Sequence, residues 1–175
     1  RFFATGMSLV IHPRSPRVPT VHLNVRYFEL TGPEGEVIDA WFGGGTDLTP
    51  YYPAAEDAVH FHRTLAALCD RHHPGFHPRY KRWCDDYFVN THRGDERRGV
   101  GGIFFDHLRP GDEGLDRAAI HSFADAVGRV LRSTPSLEAR NLEHQAVFEA
   151  VLADFGLKMP QLAMPLRRVL TGREQ

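Results

Sequence analysis

The chain predicts an α+β fold, an antiparallel sheet with helices packed against it and a short helical C-terminal tail. Three observations carry that expectation. Residues Thr20 to Leu30 alternate with a period of two, and the turn Thr31-Gly32-Pro33-Glu34-Gly35-Glu36 lets Val37 to Phe42 return antiparallel. Pro53 to His72, Pro78 to Phe88 and Leu115 to Arg132 place their apolar residues at helical spacing. Gly99 to Phe105 reads as a further strand.

Taken in order, Met7 to His12 is a short strand that breaks at Pro13 and is expected beside the Thr20 strand. On that longer strand Val21, Leu23, Val25 and Tyr27 form a core face, while Thr20, His22, Asn24, Arg26 and Phe28 point the other way. An imidazole, a carboxamide and a guanidinium in register are an unusual dress for a simple solvated face, where Thr, Lys and Glu are commoner. The run Gly43-Gly44-Gly45-Thr46-Asp47-Leu48-Thr49-Pro50-Tyr51-Tyr52 is expected as a loop whose glycines allow a sharp turn or a close approach. Asp47 is its one charged side chain at neutral pH and could equally serve as an Asx-turn or cap.

On the first helix, positions 60 and 62 lie about 200° apart. His62 shares an inward stripe with Ala58, Val59, Leu65, Ala66 and Cys69, and His60 sits outward with Asp57, Arg63 and Thr64. The second helix carries Tyr80, Trp83, Cys84 and Tyr87 as a core stripe rather than a binding platform. His92 to Arg98 is a charged loop. The Gly99-Val100-Gly101-Gly102 run lacks dinucleotide spacing and precedes a strand, so close sheet packing accounts for it better. The third helix points Ile120, Phe123, Ala124, Val127, Val130 and Leu131 inward, with His121, Asp125 and Arg129 outward, and is read as scaffold.

At 175 residues, 42% hydrophobic and 25% charged, the chain suffices for one real core and at most a small second unit. A formal net charge of -1 supplies no global basic field, so nucleic-acid binding is not expected, and no apolar run suits a membrane. Cys69 and Cys84 make neither a disulfide framework nor a zinc spacing, which fits a reducing cytoplasm. The start Arg1-Phe2-Phe3-Ala4 reads as the interior of a longer protein.

Several long motifs in order carry a family resemblance. They are Val18 to Glu29, Trp41 to Tyr52, Glu56 to Thr64, Lys81 to Phe88 and Arg98 to Asp106. Across residues 1–132 the chain resembles the oxygen-dependent coproporphyrinogen III oxidases of haem biosynthesis. That resemblance implies oxidative decarboxylation of coproporphyrinogen III, turning two propionates into vinyl groups with O2 as co-substrate and giving protoporphyrinogen IX, CO2 and hydrogen peroxide. It implies no organic cofactor and a homodimer. It assigns His22 to proton transfer, Arg26 to a substrate propionate, Asp47 to the pyrrole N–H groups, and Ser8, Asn24 and Val25 to substrate contact. His12, His22, His62 and His92 match positions described as ligands of a divalent metal such as Mn in some bacterial members. Spacing alone shows no compact His-x-x-x-His pair. The absence of a CxxxCxxC cluster argues against the radical, iron-sulfur route to the same product.

Ser133-Thr134-Pro135-Ser136 breaks the helical pattern and opens a linker, residues 133–141, with a separate tail at 142–175. Within that tail Leu142 to Phe155 reads as a helix stopped by Gly156, and residues 142–172 resemble the C-terminal region of bacterial glutamyl-tRNA synthetases, against the plainer reading of an amphipathic helix pair. The chain is therefore expected to be an incomplete oxidase. A scaffold fragment or fusion, and a His-rich metal hydrolase, stand as the alternatives.

Overall fold

In the computed structural model, which describes residues 1–133, three long strands come first: β1 (Phe2–Ile11), β2 (Thr20–Thr31) and β3 (Val37–Thr49). Helices α1 (Ala55–Asp70) and α2 (Phe76–Tyr87) follow, then the short strands β4 (Val89–Asn90) and β5 (Glu96–Arg97), strand β6 (Gly101–Leu108) and helix α3 (Arg117–Gly128). The main sheet runs β1-β2-β3-β6 with every neighbour antiparallel, and β4 pairs with β5 separately. The α+β architecture expected from the sequence is the one observed.

One face of the sheet is the core face. Val21, Leu23 and Val25 of β2, Leu48 of β3, and Ile103 and Phe105 of β6 pack with Phe61 and Leu65 of α1, Phe76 and Tyr80 of α2, and Ile120, Phe123 and Val127 of α3. Aromatic rings interlock at its centre, with Phe123 against Phe76, Tyr80 and Phe105 at centroid separations of 4.7, 5.8 and 5.0 Å. Each fully buried ring or aliphatic side chain of this kind contributes about 1.5–3 kcal/mol. The helices thereby fix which face of the sheet remains for other work.

Several local expectations change. The Gly43–Thr49 run is not a loop but the second half of β3, paired with β2 on one side and β6 on the other. Glycine carries no strand-forming side chain, so the sequence signal there is weak; the neighbouring strands impose the extended conformation. β1 begins at Phe2, five residues ahead of Met7. Helix α1 is inward at Phe61, Leu65, Leu68 and Cys69, while Val59 is exposed. On α2, Tyr80 and Cys84 are buried as expected; Tyr87 is exposed yet stacks on Phe104 at 4.4 Å. Helix α3 is shorter than expected at both ends. Asp116 caps its start by accepting the N–H of Ala119 at 2.8 Å, and it stops at Gly128, a poor helix former, before a 3-10 turn at Val130–Ser133.

Cys69 and Cys84 are free and buried. Among the described residues no helix is long and apolar enough to cross a membrane. The expected linker beyond Ser133, the 142–175 tail and its likeness to a tRNA synthetase lie outside the described residues.

Candidate active site

Residues opposite one another in antiparallel strands share a face, so the register of the sheet assembles the candidate site directly. Ser8, Asn24, Gly45 and Phe104 form one row across β1, β2, β3 and β6. Val10, His22, Asp47 and Gly102 form the next, and Gly6, Arg26 and Gly43 the one on the other side. All of these lie on the face away from the helical core. Val25, by contrast, points into that core and is 3% exposed.

The rows are wired together by polar contacts. The His22 Nδ1–H donates to Asp47 Oδ1 at 2.8 Å, and Asp47 Oδ2 accepts from Arg98 Nη2. Asp47 is almost fully buried, its side chain 4% exposed, while His22 and Arg98 are partly open. A carboxylate held this way is compensated by two donors, one of them a permanent cation. Because its Nδ1 is engaged, His22 presents Nε2 to whatever lies over the face. The Arg98 guanidinium also lies over the Phe88 ring, 3.7 Å from the centroid.

Arg26 is held two rows along the same face. Its Nη1 donates to Asn24 Oδ1 at 2.7 Å, its Nη2 pairs with Asp106 Oδ2 at 2.9 Å, and Asn24 Nδ2 donates to the carbonyl of Met7 at 3.4 Å. Here the glycine run of β3 finds its reason. A Cβ at Gly43 would come within 2.5 Å of Asp106 Oδ1 and 2.8 Å of Arg26 Nε, so only glycine lets this ion pair cross the strand. Below the pair the face turns aromatic, with Phe28 on Trp41 at 5.3 Å and Trp41 beside His107 at 4.5 Å.

The structure thus brings together Ser8, His22, Asn24, Arg26 and Asp47, and adds Arg98, Phe104 and Asp106, to which sequence reading assigned no role. Arg98 sat inside a charged loop; its position as the last charge before the glycine run was the available signal. Asp47 holds His22 through one carboxylate oxygen and Arg98 through the other.

The four histidines matched to metal ligands are dispersed in their contacts. His12 Nδ1 meets Thr20 Oγ1 at 3.3 Å, His22 Nδ1 meets Asp47, and His62 Nε2 donates to the carbonyl of Val100 at 2.9 Å. His92 lies exposed in the 3-10 turn Thr91–Arg93. Among the described residues no group of three or more His, Cys, Asp or Glu side chains is placed to hold a metal ion. His62 is the least suited, since Val100 occupies one ring nitrogen and the other is buried.

A second concavity, of about 550 Å³, opens on the helix side between β1, β2 and α3, with Thr5, Met7, Tyr27, His121 and Asp125 in its wall. At its rim Arg117 bonds Glu29 at 2.9 Å, and the Tyr27 hydroxyl donates to the same carboxylate. That hydrogen bond, with Arg117, lowers the Glu29 carboxyl; burial and the Glu29 contact push Tyr27 up to about 12.

A carboxylate-oriented imidazole and two guanidinium groups on the partly open face of an antiparallel sheet are the chemical groups that proton transfer and anion binding use. Comparison with known proteins places the class more closely. The family model for coproporphyrinogen III oxidase matches residues 1–144. The chain belongs to the coproporphyrinogen III oxidase family. It is 61% identical over 107 residues to the oxygen-dependent coproporphyrinogen-III oxidase of Drosophila melanogaster, covering 61% of this chain and 27% of that protein. The mitochondrial oxygen-dependent coproporphyrinogen-III oxidase of Homo sapiens is 60% identical over 107 residues, covering 61% of this chain and 23% of the relative. The Synechococcus sp. oxygen-dependent coproporphyrinogen-III oxidase is 47% identical over 162 residues, covering 93% of this chain and 41% of the relative. The chain therefore matches less than half the length of these relatives, and the family match continues past residue 132, the end of the resemblance read from the sequence.

Proposed function

We propose that this chain forms part of an enzyme that oxidatively decarboxylates coproporphyrinogen III to protoporphyrinogen IX with O2 as oxidant, and that the chain is an incomplete form of it. The observation that carries the reading is the His22–Asp47–Arg98 chain beside Arg26 on one face of the sheet, in a protein of this family.

Each propionate, –CH2–CH2–COO⁻, becomes a vinyl group and CO2. A hydrogen leaves the carbon next to the pyrrole with its electron pair, and O2 with one further proton takes them up as hydrogen peroxide. Two propionates therefore consume two O2. The pyrroles of the substrate are themselves electron-rich, so the protein's task is to place the substrate, neutralise carboxylates and manage protons. Arg26 is proposed to receive a propionate in the bidentate manner that a guanidinium allows, exchanging part of its contact with Asp106. His22 exchanges the proton through Nε2, while Asp47 fixes its ring from below. Asn24 and Ser8, in one row, offer hydrogen bonds beside it.

A cytoplasmic setting belongs to the same proposal, supported by two free, buried cysteines. Homodimerisation does too: β1 pairs only with β2 among the described residues and leaves an edge that a second copy could cover. The test is protoporphyrinogen formation by the intact polypeptide that contains this chain, with and without O2. Turnover that requires O2 and whose KM rises in Arg26→Ala supports the reading; absence of any turnover removes it.

A further inference from the structure

We propose that His62 is a positioning residue for this site, holding from α1 the turn that delivers Arg98 to Asp47; the inference rests on the reading of His22, Asp47 and Arg98 given above. Arg98 comes from the turn Arg98–Gly101, closed by the N–H of Gly101 on the carbonyl of Arg98 at 3.3 Å. The peptide of Val100 is gripped from two sides. Its N–H donates to the carbonyl of Leu48 at the end of β3 at 3.0 Å, and its carbonyl accepts from His62 Nε2 at 2.9 Å. A carbonyl can only accept, so this contact keeps the neutral His62 ring in its Nε2–H form. Nδ1 is buried and has no partner among the described residues, so Val100 is the ring's one polar hold there.

The turn is also pressed close. Gly99 has a φ of 55°, and a Cβ on it would stand 2.2 Å from the Leu48 carbonyl oxygen. Backbone this tightly seated sets the origin of the Arg98 side chain. The side chain has few other ties. Its Nη2 meets Asp47, its guanidinium covers Phe88, and its Nε is buried without a partner among the described residues. A shift of the turn is therefore felt at Asp47 Oδ2, and through Asp47 at the ring of His22. His62 and Val100 lie 38 residues apart in sequence. His60, which shares the helix with His62, meets the Thr64 hydroxyl at 3.4 Å and serves as the control.

The experiment is a mutant cycle in the intact protein. His62→Leu should lower kcat on the order of 10- to 100-fold, the range expected when a working group is misplaced by about an ångström. His62→Gln, whose amide N–H can reach the same carbonyl, should recover most of that loss, and His60→Leu should change little. In an Arg98→Ala background His62→Leu should lower kcat no further, since both act through one contact. Losses that multiply in the double variant overturn the proposal, as does a loss that added Mn²⁺ restores. A second readout does not need turnover. By NMR the Arg98 Nε–H signal of His62→Leu should move toward its position in Asp47→Asn, and that of His62→Gln should stay with the parent. If the parent lacks oxidase activity, the functional reading fails, and the NMR signal alone decides; an unmoved signal overturns the role of His62. Should His62→Leu not fold, His62→Asn, too short to reach Val100, takes its place in both readouts.

Discussion

Asp47→Asn removes one charge and almost no volume at a buried polar position of the sheet face. The carboxylate accepts from His22 at Oδ1 and from Arg98 at Oδ2. An amide can satisfy only one of those donors with its oxygen; its NH2 then faces the other, donor against donor. Breaking a buried ion pair from one side costs about 3–5 kcal/mol, but Arg98 is 31% exposed and can turn to water. About 2–3 kcal/mol is the better figure. For a chain of this size that lowers Tm by about 5–10 °C and leaves it folded at room temperature. Turnover should fall much further, by about 10²- to 10⁴-fold, because His22 loses the group that fixes its proton-bearing nitrogen. Porphyrin fluorescence of the oxidised product reads the rate, and circular dichroism during heating reads the stability. Near-parental turnover, or an unchanged Tm, would refute the claim that Asp47 orients His22 as an ionised partner.

Arg26→Ala should raise KM with little change in Tm, whereas Val25→Ala should lower stability by about 2 kcal/mol and leave substrate affinity nearly intact; steady-state kinetics and thermal melts separate the two, and the reverse pattern would mean that the strand faces are misassigned. Burial, aided by Arg71 for His72 and by His62 for His77, lowers both imidazoles from their usual value of 6.5. The unfolded chain then binds protons more readily than the folded one, so stability is full above about pH 6.5 and declines as pH falls through that value toward the lowered ones. Melts between pH 8 and pH 5 should show this decline, flattened in a His72→Gln/His77→Gln variant; an equal slope in both proteins would contradict it. Burial pushes the Cys69 and Cys84 thiols up to about 12, so both should resist alkylation at pH 8 until denaturant is added. Rapid labelling of either in the folded protein would count against the packing of α1 and α2.

The facing of β2 was legible because both of its faces speak: apolar residues at one parity and His22, Asn24 and Arg26 at the other. β3 beyond Phe42 was not, since its glycines carry no pattern; the cause of Gly43 is an ion pair between residues 26 and 106, which no local window contains. Arg98 was missed for a similar reason. Its partner lies 51 residues away in sequence, and its own neighbourhood is a run of surface charges. His62 was correctly placed on the inner side of α1, where it is half-buried, but its destination was a backbone carbonyl, and carbonyls have no sequence signature. Helix ends shifted wherever a strong local signal competed with a weaker one, as where Gly128 halts α3 despite apolar residues beyond it.

The central claim is that substrate lies on the face bearing His22, Arg26, Asp47 and Arg98 rather than in the 550 Å³ hollow beneath α3. A crystal structure of the intact protein with coproporphyrin III, the oxidised tetrapyrrole that carries the same four propionates, tests it most directly. The account predicts one propionate within hydrogen-bond distance of the Arg26 guanidinium and the adjoining pyrrole edge against His22 Nε2. A tetrapyrrole seated instead between β1 and α3, against Thr5, His121 and Asp125, would contradict it.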